Sequence, residues 1–426
     1  MVERTIKTVI LGIVDNRIFN VSVMITCDYL IVGGGFAGLV MAERLSSELG
    51  ASCLVIEQRE HIGGNCHDEY DDHGVLVHKY GPHYFRTNSP RIRDYLSRFT
   101  EWLPCDYKIL SHAEGRFWKF PINLNTYEQI IGRDSTEAEF AAYLERVRAP
   151  IAKPANSEEV IVSQVGWELY RKFFEGYTLK QWKRHPRELD ASVCGRIPIR
   201  TNRDDRYLVD EFQALPKAGY HRMFQNMLQA SPGVKVLLKT DFREVLPHIK
   251  HRHLIYTGPV DLFYNHRFGH LPYRSLRFER ESFTPEQLRA AGRPAISGRE
   301  GFWQPAMQVN YPNDHGFTRI VEVKHATRQQ TENTTIVREF PDDYQDGKVP
   351  YYPVPASDAK AIYEKYRALA EQETRVSFVG RLATYRYYNM DQVVGMALTE
   401  YEKLKTRTET GHLHRLAPKT LKIQAA

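Results

Sequence analysis

Cys27-Asp28-Tyr29-Leu30-Ile31-Val32-Gly33-Gly34-Gly35-Phe36-Ala37-Gly38 opens the stretch that decides the fold. Helical spacing and good helix formers follow over 39–49, then Cys53-Leu54-Val55-Ile56 and the acid Glu57. The order is apolar strand, glycine turn, helix, strand, acid. That is one βαβ unit, whose crossover is right-handed and whose strands are parallel. Gly33, Gly35 and Gly38 let the main chain approach a pyrophosphate, and the helix start at Phe36 and Ala37 faces its negative charge. Glu57 stands about 20 residues on, where an acid grips ribose hydroxyls. A glycine triplet alone also serves as a plain strand–helix turn. The strand before it, the helix after it and the acid beyond favour a bound dinucleotide.

The 426 residues leave room for two or three domains. At 42% hydrophobic and 26% charged, the chain has the composition of a soluble globular protein. The net charge of +6 carries no argument for nucleic acid, but converging arginines would suit a small anion. Cys27, Cys53, Cys66, Cys105 and Cys194 are scattered and form no CxxC pair. That points to reduced thiols in a cytoplasmic protein, with no metal site. No stretch reaches the length of a membrane span. The apolar run at 9–14 is too short for a signal-peptide core. Met24 immediately precedes the first clear strand, so residues 1–23 read as an upstream extension of the natural start.

Further along, the spacing predicts helices over 137–147, over 157–174 with Ser157 as cap, and over 391–401. Thr284-Pro285-Glu286 should open a short helix. Strand-like runs at 318–324 and 334–340 suggest an antiparallel sheet, 376–380 a buried strand, and 290–306 a loop.

Residues 78–88 read His78-Lys79-Tyr80-Gly81-Pro82-His83-Tyr84-Phe85-Arg86-Thr87-Asn88. A core strand would not spend that much polar chemistry, since each buried polar group needs a partner. The segment reads as the wall of a site beside the dinucleotide. Arg196, Arg274, Arg319 and Arg381 each lie among small or aromatic residues with no obvious acidic neighbour. Guanidinium forks match phosphate and stay charged, although a lone arginine is more often a solvated surface residue. Phe173, Phe174, Tyr177 and Trp182 crowd the end of a helix, where they could stack a base or simply pack on a sheet.

After Glu57 come Arg59 and Gly63-Gly64-Asn65, a pattern that resembles FAD enzymes of the amine-oxidase and phytoene-desaturase type. Over about 27–405 the chain resembles the bacterial UDP-galactopyranose mutases. The matching motifs are His78-Lys79-Tyr80-Gly81-Pro82-His83, Gly176-Tyr177-Thr178-x-Lys180-Gln181-Trp182, Arg196-Ile197-Pro198, Tyr256-Thr257-Gly258-Pro259, Tyr273-Arg274-Ser275-Leu276, Thr318-Arg319, Tyr351-Tyr352-Pro353-Val354 and Gly380-Arg381-Leu382-Ala383.

The resemblance implies an α/β fold: a Rossmann-like FAD-binding domain with an inserted helical bundle and an antiparallel β-sheet. On that pattern 1–26 is an extension, and 27–78, 217–262 and 356–410 form the discontinuous FAD-binding domain. The helical domain is 127–190, and 79–126, 191–216 and 263–355 form the substrate domain. It implies Gly64, Asn65, Arg381 and Gln392 as further FAD contacts, and Arg196 and Arg319 as the diphosphate clamp. It places His83 and Arg86 by the flavin, Arg274 as a further site arginine, and Tyr177 with Phe173, Phe174 and Trp182 around uracil. Tyr207, Tyr352 and Tyr387 resemble the family tyrosines that donate hydrogen bonds to the diphosphate, and Asn389 is implied as a further substrate contact.

The implied activity is conversion of a UDP-hexopyranose to its furanose, supplying galactofuranose for cell-surface polysaccharide, by a cytoplasmic homodimer that inserts into no membrane. In that family reduced FAD attacks the anomeric carbon through N5 and UDP leaves; the flavin–sugar adduct opens, recloses through the other hydroxyl, and UDP returns as the flavin is released. A lid around 196–207 would exclude water. Two departures stand out. Arg86 occupies a position where most relatives have His, and members that accept the N-acetylated sugar can carry Arg there, so UDP-N-acetylgalactopyranose is an expected substrate. Asn389 stands where many relatives have Asp. The alternatives are a mutase for another nucleotide sugar, such as dTDP-fucopyranose, or a flavin oxidase or desaturase.

Overall fold

The computed structural model describes residues 13–14, 17–18, 23–293, 301–345, 347–410 and 422–425. Most of the 1–26 extension and the 294–300 part of the 290–306 loop lie outside them.

Strand β1 (Val23–Val32) runs through the apolar residues that precede the glycine turn, and α1 (Phe36–Leu49) starts directly after it. The strand begins four residues before the boundary read at Cys27, because Val23–Thr26 pair with a late strand. β2 (Cys53–Ile56) lies parallel to β1. Val40, Met41, Ala42 and Leu45 are fully buried, each larger side chain stabilising by about 1.5–3 kcal/mol. Glu43 is also buried on α1, held by Arg44 and by the Tyr95 hydroxyl at 2.9 Å.

β3 (Phe85–Thr87) and β4 (Trp102–Pro104) flank a later strand in a small antiparallel sheet, and β5 (Ile109–Ala113) and β6 (Arg116–Phe120) form a hairpin. A helical region follows, with α2 (Glu137–Val147), α3 (Ser157–Tyr170), a π-helical turn over Arg171–Glu175, and α4 (Gly176–Trp182). The α2 bounds match the expected helix. The expected continuous helix over 157–174 is instead broken twice. Gly166 kinks it with φ +77°, and the π turn widens it before Gly176. The cap is Asn156, whose side chain accepts from the Glu159 amide, whereas Ser157 is buried and donates to the Asp190 carbonyl.

β7 (Phe212–Pro216) pairs with β3 and β4. α5 (Tyr220–Gln229), β8 (Val234–Leu237) and β9 (Ile249–Tyr256) return to the first sheet. β10 (Tyr273–Phe283), β11 (Gln308–Asn310), β12 (Arg319–Val321), β13 (Thr334–Asp343) and β14 (Tyr352–Pro353) build the second. Thr284 caps the short helix Pro285–Ala290, as its sequence predicts. β15 (Val376–Phe378), α6 (Met390–Glu409) and β16 (Lys422–Ala425) close the chain.

The first sheet has the order β8-β2-β1-β9-β15, all parallel, with β16 antiparallel against the start of β1. The second has the order β6-β5-β11-β12-β13-β10-β14. It is antiparallel except where β11 runs parallel to β5. The run read as a strand over 318–324 shortens to Arg319–Val321, since Lys324 already begins a helical turn.

Candidate active site

Two substructures meet here: the glycine turn after β1, and a group of arginines and tyrosines carried by α4, β12, β14 and the segment before α6.

Gly33 has φ +105°, and a Cβ there would lie 2.1 Å from the Thr257 hydroxyl. Gly38 needs close approach instead, since a Cβ would lie 2.0 Å from the Gly33 carbonyl oxygen. Glu57 is buried at the end of β2 and accepts from the Gly34 amide at 2.7 Å and the Arg59 amide at 2.9 Å. Arg59 donates to Asn65 at 2.7 Å and lies 4.4 Å over the Tyr80 ring. Its other terminal nitrogen is buried without a partner. No side chain caps α1 at Gly35, so the first-turn amides remain for an anion.

His78 and His83 line this side. The His83 Nδ1–H donates to the Gly81 carbonyl at 2.9 Å, and the His83 amide donates to His78 Nδ1 at 3.0 Å. Burial pushes His83 down to about 4, helped by Arg381 and Arg319. Burial pushes His78 down to about 3. Both are therefore neutral at working pH, and His83 keeps Nε2 as an acceptor.

Burial also lowers His67 to about 4 and His253 to about 3. A histidine depressed in the fold but titrating near 6.5 when unfolded binds more protons in the unfolded state. Its stabilising effect is complete above pH 6.5 and is lost as pH falls towards the folded value. Each such group gives a slope of about 1.4 kcal/mol per pH unit. Denaturant titrations at pH 7.5 and pH 5 should find marked acid destabilisation, with a shallower loss in His78→Asn, which keeps the acceptor and does not titrate. An equal loss in both proteins would contradict this.

On the other side, Arg319 donates to the Glu339 carboxylate at 2.9 and 2.7 Å. Glu339 is 1% exposed, and no sequence expectation named it. Alternation along β13 places it on the same face as the buried Thr335 and Val337, and a carboxylate in an inward series calls for a cation. Arg196 lies 4.8 Å over the Tyr387 ring. Among the described residues it has no carboxylate partner. Tyr387, Tyr207 and Tyr177 together raise its pKa. Arg381 lies 5.1 Å from Tyr387 and 5.6 Å from Tyr352. Its own donors go to the main-chain carbonyls of Tyr388 and Tyr351.

The tyrosines report the shared field. Tyr177, Tyr207 and Tyr387 each feel both Arg196 and Arg319. Burial raises Tyr387, but the three arginines outweigh it and leave the phenol lowered. Tyr352 stacks on Tyr387 at 5.4 Å, and Trp182 approaches both at 6.1 and 6.3 Å. Tyr107, unnamed by the sequence reading, packs edge-on to Tyr207 at 5.4 Å. The result is a half-open wall of phenols with one carboxylate among three arginines, suited to a diphosphate.

Other expected site residues have protein partners of their own. Phe173 and Phe174 are buried against Trp118 and Phe120, so they back the wall instead of facing a ligand. Arg274 is buried, bonded to the Gln181 carbonyl and paired with Asp343. Arg86 pairs with Asp210 at 2.5 Å and lies near Asp391 in the first turn of α6. Asn389 starts that helix, its amide donating to Gln392 at 2.9 Å. Folding also gathers Asp261, His266 and His270, and separately Glu158, Glu175 and His185, with ligand atoms within 4.8 Å. Sequence spacing does not show either group.

A family model described as UDP-galactopyranose mutase matches residues 172–387, and one described as an NAD(P)-binding Rossmann-like domain matches 31–99. A probable UDP-galactopyranose mutase of Klebsiella pneumoniae is 36% identical over 375 residues, 87% of this chain and 92% of that protein. The chain belongs to the UDP-galactopyranose mutase family. It is therefore a mutase-type isomerase. A dTDP-fucopyranose mutase of Escherichia coli is 33% identical over 87% of this chain and 96% of its own length. The fold agrees with a crystal structure of reduced UDP-galactopyranose mutase, with TM-score 0.68 and 15% identity over 90% of this chain and 94% of that one.

Family and domain together imply a flavin, and the residues fit one. The unpartnered Arg59 nitrogen, the uncapped start of α1 and the Glu57 carboxylate are the donors and acceptors a dinucleotide needs. Among the described residues, no helix is long and apolar enough to cross a membrane.

Proposed function

We propose that this mutase interconverts the pyranose and furanose forms of a UDP-hexose, with FAD bound in its reduced state. The observation that carries this reading is Arg196. Among the described residues it has no carboxylate partner, and it shares its field with Arg319 across Tyr177, Tyr207 and Tyr387.

Reduced FAD, when bound, supplies N5 as a nucleophile towards the anomeric carbon. Gly33, Gly35 and Gly38 with Phe36 and Ala37 hold its pyrophosphate, Glu57 its ribose, and Asn65, Gly64 and Arg59 the neighbouring turn. Gln392 and Arg381 lie on its flavin side. Arg196 and Arg319 bind the substrate diphosphate and neutralise it as it departs and returns. Tyr352, Tyr387 and Tyr207 donate to its oxygens, while Tyr177 and Trp182 flank the uracil. His83, neutral, offers an acceptor to the sugar side and takes no part as an acid. The segment 196–207 closes over the site to keep water out, and the working form is a homodimer.

Arg86 supports the N-acetylated sugar as a substrate, its guanidinium held at one end by Asp210 and its remaining donors available to an acetamido oxygen. Arg86→His should shift the kcat/KM ratio of UDP-N-acetylgalactosamine to UDP-galactose at least tenfold towards galactose. An unchanged ratio would sink the assignment.

A dTDP-sugar is the second reading, favoured by the 33% identical fucopyranose mutase. Equilibrium binding of UDP and dTDP to the reduced enzyme separates the two. Tighter UDP supports our reading, and tighter dTDP replaces it.

A further inference from the structure

Lys180 sits inside a ring of main-chain carbonyls. Its Nζ donates to the oxygen of Tyr311, to those of Asp314 and Phe317 at 3.0 and 3.1 Å, and to that of His315 at 3.3 Å. An ammonium has three N–H groups, so four acceptors share them. All four carbonyls belong to the turn that joins β11 to β12, and Arg319 is the first residue of β12. His315 adopts φ +65° within that turn.

Two further contacts seat the same turn on the helical segment. Asn313 donates to the Lys172 carbonyl at 3.1 Å. A Cβ on Gly176 would lie 2.5 Å from the Pro312 oxygen, so only glycine fits. Asp314 and His315 are exposed, so water reaches that side of the ring, but without the ammonium the part-buried Tyr311 and Phe317 oxygens would lose the donor that joins them. Burial pulls Lys180 down to about 8, and Asp314 opposes that shift, so the ammonium is charged at neutral pH.

Lys180 lies on α4 between Tyr177 and Trp182. We propose that Lys180 is a positioning residue: its ammonium, lodged in the carbonyl ring, sets the spacing between the aromatic wall on α4 and Arg319 on β12. This rests on the substrate reading above, and the experiment separates the two.

UDP is the probe, bound to the reduced holoenzyme. If the parent protein fails to bind UDP, the substrate reading falls and the premise of this proposal falls with it. If the parent binds, Lys180→Met should raise the UDP Kd and the KM for the sugar nucleotide at least tenfold, with FAD content unchanged. In Lys180→Ala, added propylammonium should recover at least a third of the lost affinity, and tetramethylammonium, which has no N–H, should recover none. A UDP Kd within twofold of the parent in Lys180→Met overturns the proposal. So does equal recovery with both amines, or none with propylammonium. If the Met variant does not fold, Lys180→Arg takes its place. Its wider head group should raise the UDP Kd at least threefold, and parent-like affinity again overturns the proposal.

Discussion

Arg319→Ala should lower kcat/KM by at least about 10²–10³-fold, the usual result of removing one preorganised charge from a transition state. The loss has a structural component as well. Glu339 is buried with Arg319 as its ion-pair partner, and an uncompensated buried carboxylate costs about 3–5 kcal/mol. The single variant would therefore melt earlier as well as turn over slowly. Adding Glu339→Gln removes the stranded charge, so the double variant should regain most of the melting temperature and none of the activity. Recovery of both together would mean that Arg319 serves only to balance Glu339. Steady-state kinetics with thermal melts of the three proteins decides it.

Gly38→Ala should abolish stable cofactor binding. The added methyl would sit 2.0 Å from the Gly33 carbonyl oxygen and 3.1 Å from Ile31 Cγ2. Neither can move without lifting α1 off β1, so the overlap costs more than the roughly 1–3 kcal/mol of ordinary overpacking. The start of α1 is also the proposed seat of the pyrophosphate, so even a small lift would spoil that contact. We expect purified protein with less than a tenth of the parent's flavin absorbance. A variant with full flavin content would show that the glycine turn is not the cofactor's seat.

The sequence made the cofactor side far more legible than the substrate side. Residues 27–57 carry their own local grammar: strand, glycine turn, helix and acid all lie close along the chain, and the structure reproduces each. The arginine–tyrosine site is assembled from α4, β12, β14 and 381–389, which only tertiary pairing brings together. Its arginines could be nominated one by one, but not their partners. Glu339 went unnamed because it is one residue in an ordinary strand pattern, and Asp210 because its partner Arg86 lies 124 positions away. Along the sequence the aromatic group 173–182 reads as one unit. The π turn splits it instead, sending Phe173 and Phe174 to the core and leaving Tyr177 half-exposed near the arginines. Ser157 is a suitable cap by type, but Asn156 one residue earlier caps the helix and Ser157 donates to the Asp190 carbonyl.

The central claim is that a flavin-bound arginine–tyrosine site exchanges sugar ring forms without net oxidation. The direct measurement is anaerobic incubation of the enzyme with UDP-galactose and with UDP-N-acetylgalactosamine, flavin either oxidised or dithionite-reduced, followed by chromatographic separation of the nucleotide sugars. The account predicts a furanose isomer from at least one substrate with reduced flavin and none with oxidised flavin. Absence of any furanose from the reduced, FAD-loaded enzyme would contradict it, as would equal formation in both states.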